Sequence, residues 1–194
     1  MGVPRPRMAP APESPDALPA LPEVSCLRGD ITTLEVDGIV NAASAELRGG
    51  EGVDGAIHAA AGPGLVAELR ALYPHGGRTG GVYPTRAHDL PAAWILHAVG
   101  PIWRGGGEGE AEALAACYRD GIRLATELGL GSLAFPAISC GVYGYPHHDA
   151  ARVAIRALAE ALPAGTLADV RIVLFSDELL KVFSGELEAF RAGS

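Results

Sequence analysis

The segment from Ile39 to Gly62, IVNAASAELRGGEGVDGAIHAAAG, gathers in one short stretch the residue types needed to grip a diphosphate and place a carboxylate beside it. It reads as a buried strand, then a loop broken by Gly49, Gly50 and Gly52, then the start of a helix. Glycines allow positive φ and let a ligand come close to the backbone. The first turn of a helix leaves N–H groups without partners, which suits an anion. Asn41 opens the loop. Asp54 enters the helix and His58 follows at i+4, so the two face the same side. Such a pair can position a water or a ribose hydroxyl near a scissile bond. The plain alternatives are also open: Asp54 complements the helix dipole, and a histidine on an alanine-rich helix can be a packed, hydrogen-bonded residue.

A second segment, Phe135–Pro146 (FPAISCGVYGYP), repeats the order of strand, glycine loop and helix. Gly141 and Gly144 free its backbone to wrap a diphosphate, and Tyr143 between them can lie across a sugar ring. Tyr145 before Pro146 reads as core packing that closes the loop. Cys140 has no histidine tied to it by sequence and reads as a small loop residue rather than a nucleophile. Asp30, in Gly29-Asp30-Ile31, can accept from an exocyclic amine, although alone it reads as a turn. His97 lies within an apolar strand and reads as structural. His147 and His148 lie near a helix start and read as solvated.

The elements that must position these residues alternate. Strands are expected at Val24–Leu27, Val36–Val40, Gly81–Ala87, Trp94–Val99, Leu133–Ala137 and Val170–Phe175, from their β-branched and apolar content. Helices are expected at Val53–Ala61, Gly64–Leu72, Glu110–Glu127, Asp149–Leu162 and Glu178–Arg191, from apolar residues near helical spacing. Gly62-Pro63 splits the first two helices, Gly129 ends the third, and Asp149 is expected to accept from first-turn N–H groups of the fourth. Alternating strands and helices imply an α/β sandwich with a largely parallel sheet. Ligands in such folds bind beyond the carboxyl ends of the strands, where both glycine loops begin.

The chain of 194 residues suits one domain with a sizeable core. Residues 1–20 are rich in Pro and Ala without hydrophobic period and read as a flexible tail, with the domain occupying 21–194. The net charge of −8 argues against general affinity for nucleic-acid backbones, so an anionic ligand must be held by aimed local groups. No apolar run approaches the length of a membrane span, so no membrane partner is expected. Three widely spaced cysteines, Cys26, Cys117 and Cys140, indicate neither a disulfide framework nor a zinc cluster, and the reducing cytosol is the expected compartment.

Four segments then fall into a pattern: GDIT at Gly29–Thr32, VNAAS followed by GGEGVDGAIH within Val40–His58, HAVGPIW at His97–Trp103, and AFPAISCGVYGYP at Ala134–Pro146. Together they resemble the macrodomain family of ADP-ribose-binding modules, and within it the MacroD type, whose members hydrolyse mono-ADP-ribose esters. The resemblance runs from about Glu23 to the C-terminus, and the order and spacing of the motifs are specific together. It implies a three-layer α/β/α sandwich with a mixed, mostly parallel six-stranded sheet. It implies that Asp30 holds the adenine amine, with Ile31 giving a backbone contact and Phe175 lying against the ring. Asn41 is implied beside the distal ribose. Gly52, Val53, Ser139, Cys140, Gly141, Val142 and Tyr143 are implied around the diphosphate and that ribose. Asp54 matches the catalytic aspartate of the hydrolytic subgroup, and His58 and Asn41 join it.

The chain departs from the family pattern twice. Ser44 stands where the family usually has a second Asn, keeping a hydroxyl but losing the amide fork beside the distal ribose. Glu51 stands where it usually has glycine, adding a charge near the diphosphate. The implied activity is removal of mono-ADP-ribose from acidic side chains, deacetylation of O-acetyl-ADP-ribose, or both, with no metal or cofactor. The implied partners are ADP-ribose, mono-ADP-ribosylated proteins and O-acetyl-ADP-ribose, and a monomer is expected. A non-catalytic ADP-ribose reader and a phosphatase acting on ADP-ribose 1″-phosphate stay open as alternatives.

Overall fold

The structure is a computed structural model that describes residues 21, 23–162 and 167–193. The segment 1–20, expected as a tail, lies outside the described residues. Six strands, β1 (Val24–Arg28), β2 (Gly38–Ala43), β3 (Val82–Arg86), β4 (Trp94–Val99), β5 (Ser132–Pro136) and β6 (Asp169–Leu174), form one sheet in the order β1-β6-β5-β2-β4-β3. All neighbours are parallel except the edge strand β3, which runs antiparallel to β4. The helices are α1 (Gly52–Ala61), α2 (Pro63–Leu72), α3 (Glu110–Glu127), α4 (His147–Ala161) and α5 (Asp177–Gly193).

Strand side chains alternate between two cores, one on each face of the sheet. Ile39, Ala43, Ile95, Val99 and Ala134 face α1 and α2, where Ile57, Ala61, Leu65 and Leu69 meet them. Val40, Leu96, Ala98, Leu133 and Phe135 face α3, α4 and α5, where Leu114, Tyr118, Ala154, Leu158 and Phe183 meet them. The result is a three-layer α/β/α sandwich, with helices on both faces of the sheet.

The pairing of β2 with β5 covers only Gly38↔Leu133 and Ile39↔Ala134. Beyond it the two strands part, and their loops leave in opposite directions along the sheet. This is the topological switch point of the fold, where a cleft opens at the carboxyl ends of the strands.

Two expectations shift. β2 begins and ends later than Val36–Val40. Asp37 is held in a turn, its carboxylate accepting from the N–H groups of Gly131 and Ser132 at 2.8 and 3.0 Å. At Gly38 a Cβ would lie 2.8 Å from Leu130 Cδ1 and 3.1 Å from Leu133 Cδ1, so any larger residue where the ladder starts would displace these core leucines. The strand then runs through Asn41, which is a strand residue and not the first residue of the loop. Helix α4 begins at His147, after Pro146 as N-cap, so Asp149 sits inside the first turn and makes no capping bond. There it meets Arg152 at 3.3 Å.

Candidate functional site

The cleft at the switch point has a volume of about 620 Å³, in the range of small-molecule sites. Its wall draws on the ends of five strands. Gly29, Asp30 and Ile31 follow β1; Ala42, Ala43 and Ser44 end β2; Gly100 follows β4; Pro136 to Ser139 follow β5; Val173 and Phe175 close β6.

The first glycine loop and the start of α1 supply Gly50, Glu51, Gly52, Val53 and Asp54 to this wall. Gly52 has φ +61, and Glu51 caps the helix in extended conformation without a side-chain bond to it. The loop lies directly on the first turn of the helix. A Cβ on Gly55 would stand 2.5 Å from the carbonyl oxygen of Gly50, and one on Gly49 would stand 3.2 Å from the His58 ring. The N–H groups of Gly52, Val53 and Asp54 therefore open the helix toward the cleft, where its dipole favours negative charge.

Beneath the loop lies a buried polar chain. Asp54 is 4% exposed and Asn41 fully buried. Asn41 Nδ2 donates to Asp54 Oδ1 at 2.7 Å and reaches His97 Nδ1 at 3.1 Å. His97 Nε2 lies 2.9 Å from Thr85 Oγ1. His58 Nε2 stands 3.4 Å from Asp54 Oδ1. The other Asp54 oxygen, Oδ2, faces Gly50, where a Cβ would be 3.0 Å away. Sheet geometry explains the meeting: Asn41 and His97 are register partners on β2 and β4, both on the face that α1 covers. Thr85 is paired with Ile95, on that same face. Burial pushes the His97 imidazole down to about 3, helped by the neighbouring His58 and opposed by Asp54, so the ring is neutral.

The second glycine loop is shaped by its own backbone. Cys140 N–H donates to Ala137, Gly144 N–H to Gly141 and Tyr145 N–H to Ser139. Ser139 sits at φ +64, uncommon for a residue with a side chain. Its hydroxyl is buried and has no partner among the described residues. Gly100 makes room for it, since a Cβ there would lie 2.4 Å from Ser139 Oγ. Among the described residues none accepts from the N–H groups of Gly141, Val142 or Tyr143. Behind the loop, Trp103 N–H donates to the Tyr143 carbonyl at 2.9 Å and the Trp103 ring packs on Tyr145 at 4.6 Å. The buried Glu110 carboxylate in turn holds the loop before α3, accepting from the N–H groups of Arg104, Gly106 and Glu108.

At the far end, Asp30 Oδ1 accepts from Thr32 N–H at 2.9 Å and Thr32 Oγ1 at 2.7 Å, which fixes a single helical turn at Ile31–Thr33. Phe175, just after β6, is 70% exposed, and Val142 in the second glycine loop is 82% exposed, while both line the cleft. An exposed aromatic face on a cleft wall suits stacking with a planar ring.

The structure thus brings Asp30, Ile31, Ser44, Gly52, Val53, Asp54, Ser139, Gly141, Val142, Tyr143 and Phe175 to one cleft wall. Asn41 and His58 stand behind Asp54 and do not line it. Cys140 turns away into the core beside α3 and α4, and burial pushes its thiol up to about 12. His147 is not merely solvated: its Nε2 lies 3.2 Å from the Cys140 carbonyl. His97 is buried and hydrogen-bonded, the structural placement expected of it; what the sequence does not show is its contact with Asn41 and with Thr85. The signal for such a contact is a polar side chain at an inward-facing position of an apolar strand.

A switch-point cleft flanked by two glycine loops at the carboxyl ends of the strands defines the class, a three-layer α/β domain with a small-molecule-sized cleft. The particular family follows from comparison. The Macro domain model matches residues 40–154. A macro domain-containing protein of Ralstonia nicotianae is 50% identical over 165 residues, covering 85% of this chain and 94% of the relative. An O-acetyl-ADP-ribose deacetylase of Klebsiella pneumoniae is 46% identical over 172 residues, covering 87% of this chain and 97% of the relative. A glycine-to-valine mutant of the Oceanobacillus iheyensis macrodomain, solved with ADPR, superposes with a TM-score of 0.81 at 41% identity, covering 86% of this chain and 92% of that one. The chain belongs to the macrodomain family.

Proposed function

We propose that the chain binds ADP-ribose in this cleft and hydrolyses esters at its distal ribose. Substrates are mono-ADP-ribosylated Asp or Glu side chains, O-acetyl-ADP-ribose, or both. The observation that carries the reading is Asp54: a nearly buried carboxylate with Oδ1 held from behind and Oδ2 on the side of the cleft loop. The diphosphate lies between the N–H groups of Gly52 and Val53 and those of Gly141, Val142 and Tyr143. Adenine rests near Phe175 with its amine toward Asp30. The distal ribose then falls near Asp54, Ser44 and Tyr143.

Water held against the diphosphate is the nucleophile, and Asp54 orients it and takes its proton. For a glycosyl ester the water oxygen bonds to the ribose carbon as the ester C–O bond breaks, and the side-chain carboxylate leaves. In the glycosyl reaction the proton passes from Asp54 to solvent. For the acetyl ester the water oxygen bonds to the acyl carbon as the bond from that carbon to the ribose oxygen breaks; the ribose oxygen takes the proton from Asp54 to become a hydroxyl, and the acetic acid formed ionises to acetate. The buried, unpartnered Ser139 hydroxyl supports a polar ligand group at its position. Glu51 in the cleft wall supports an ester over a phosphate monoester, whose second negative charge it would oppose. The decisive experiment is Asp54→Ala, assayed for ADP-ribose binding by calorimetry and for turnover of both ester classes. Binding with turnover in the wild type and binding alone in the variant supports the reading. Full turnover by the variant refutes it, and a wild type that binds but never turns over is a reader.

A further inference from the structure

The buried chain behind the cleft continues past the residues the reaction uses, to His97 and Thr85. Asn41 Nδ2 is a donor only. It lies 3.1 Å from His97 Nδ1, so that ring nitrogen must accept and carries no proton. The ring proton sits on Nε2, where Thr85 Oγ1 accepts it at 2.9 Å. With the neutral tautomer fixed in this way, both hydrogens of the Asn41 amide are committed, one to His97 and one to Asp54 Oδ1 at 2.7 Å. The Asp54 carboxylate fixes this orientation, since turning the amide over would set its oxygen against an acceptor-only group. All three supports sit on strands, and strands give a site more exact placement than loops do.

We propose that His97 is a positioning residue of the hydrolytic site. Its unprotonated Nδ1 takes the second hydrogen of the Asn41 amide, Thr85 accepts the proton on Nε2, and the amide so held keeps Asp54 Oδ1 in place with Oδ2 on the side of Gly50 and the cleft. The inference rests on the hydrolase reading. His97 touches neither cleft nor ligand: it is wholly buried and does not line the wall. A role through Asp54 orientation therefore separates from a role in binding. It also separates from simple core filling, because a side chain of similar bulk without an acceptor fills the core equally well.

The test compares wild type, His97→Leu, His97→Asn and Thr85→Val for ADP-ribose Kd, for kcat and KM on a mono-ADP-ribosylated glutamate substrate, and for thermal midpoint. His97→Leu removes the acceptor, and a misplaced catalytic group lowers kcat by about tenfold to a hundredfold while Kd stays as in wild type. His97→Asn puts an amide oxygen near the position of Nδ1 and restores most of that loss. Thr85→Val removes the acceptor of the Nε2 proton and lowers kcat several-fold at unchanged Kd. Wild-type kcat in His97→Leu overturns the proposal, as does a loss of kcat that tracks Kd and thermal midpoint and is not recovered by Asn. Should His97→Leu fail to fold, Thr85→Val decides: an unchanged kcat there overturns the proposal. A wild type without turnover overturns the hydrolase reading and this inference with it. A working wild type beside a fully active His97→Leu overturns this inference alone.

Discussion

The two loops that wall the cleft are supported in opposite ways. The loop after β2 rests on polar atoms: Asp54, Asn41, His97 and Thr85 form a hydrogen-bonded chain across three strands and a helix. The loop after β5 rests chiefly on its own backbone turns, a positive-φ serine and the Trp103–Tyr145 stack, with side chains meeting its backbone at Pro136, Ile138 and Cys140. The difference teaches what each wall is for. A carboxylate that must keep one orientation in a buried place needs hydrogen-bond partners, because unpaired it is costly. A wall that offers N–H groups to an anion needs only a fixed backbone. In the proposed reading both walls offer N–H groups to the ligand, and the first adds the carboxylate.

The largest expected effect breaks the first wall. Asp54→Ala is expected to lower ester turnover about a hundredfold to ten-thousandfold, the usual contribution of a positioned acid–base group, while calorimetry returns wild-type affinity for ADP-ribose. Next in size is the second wall. Tyr145 is 2% exposed, and Tyr145→Ala is expected to cost about 3 kcal/mol of stability through the lost aromatic packing, read by chemical denaturation. ADP-ribose binding should weaken with it, whereas kcat at saturating substrate should fall far less than in Asp54→Ala. Equal losses of kcat in the two variants would erase the distinction between the walls.

Much of this was legible in the chain. The type and order of every strand and helix followed from period and breakers, because each apolar run is short and bounded by glycine, proline or a charged turn. The i, i+4 relation of Asp54 and His58 is a local property of a helix, and the two meet at 3.4 Å. The meeting of His97 with Asn41 was not legible. The two lie far apart in the chain, and their contact exists only because β2 and β4 are neighbours in one particular register. The same holds for Glu110, which reads as a helix start and is in fact a buried carboxylate gripping three backbone N–H groups. Strand parity was the available clue. Asn41 is two residues from Ile39 and Ala43, and His97 two from Ile95 and Val99, so both polar side chains point where the apolar ones do.

The third effect tests that parity in solution. The His97 ring, ordinarily near 6.5, is held down at about 3, by burial first and His58 second, against the opposite pull of Asp54. Unfolding lets it take up a proton that the folded chain refuses. Its contribution is therefore complete above about pH 6.5 and is lost as pH falls through about 3. Denaturation of wild type and His97→Leu across this range isolates the ring from the carboxylates, with wild type losing stability more steeply in acid. Parallel slopes would mean that the ring takes up its proton as readily in the fold as in the unfolded chain. A smaller effect separates how tightly the loops are seated. Gly55→Ala drives a Cβ to 2.5 Å from the Gly50 carbonyl oxygen and is expected to cost about 1–3 kcal/mol. Gly141→Ala, with nothing within 4 Å of its Cβ, should change stability by no more than about 0.5 kcal/mol.

The smallest effect belongs to Glu51, and it sharpens the comparison by its sign. Glu51 is exposed, caps α1 and also lines the cleft. A carboxylate at that place favours the helix, since negative charge complements the N-terminal dipole. It disfavours a diphosphate, since the ligand seeks the same N–H groups. Glu51→Gln should therefore lower the thermal midpoint slightly and tighten ADP-ribose binding by about twofold to fivefold at low ionic strength, as expected of an exposed charge. The gain should shrink as salt screens it, and kcat should stay put, because the charge acts on grip and not on the Asp54 carboxylate. Unchanged affinity at low salt would show the Glu51 side chain turned to solvent. A changed kcat would show that the first wall reads charge as well as orientation, which the buried placement of Asp54 on Asn41 argues against.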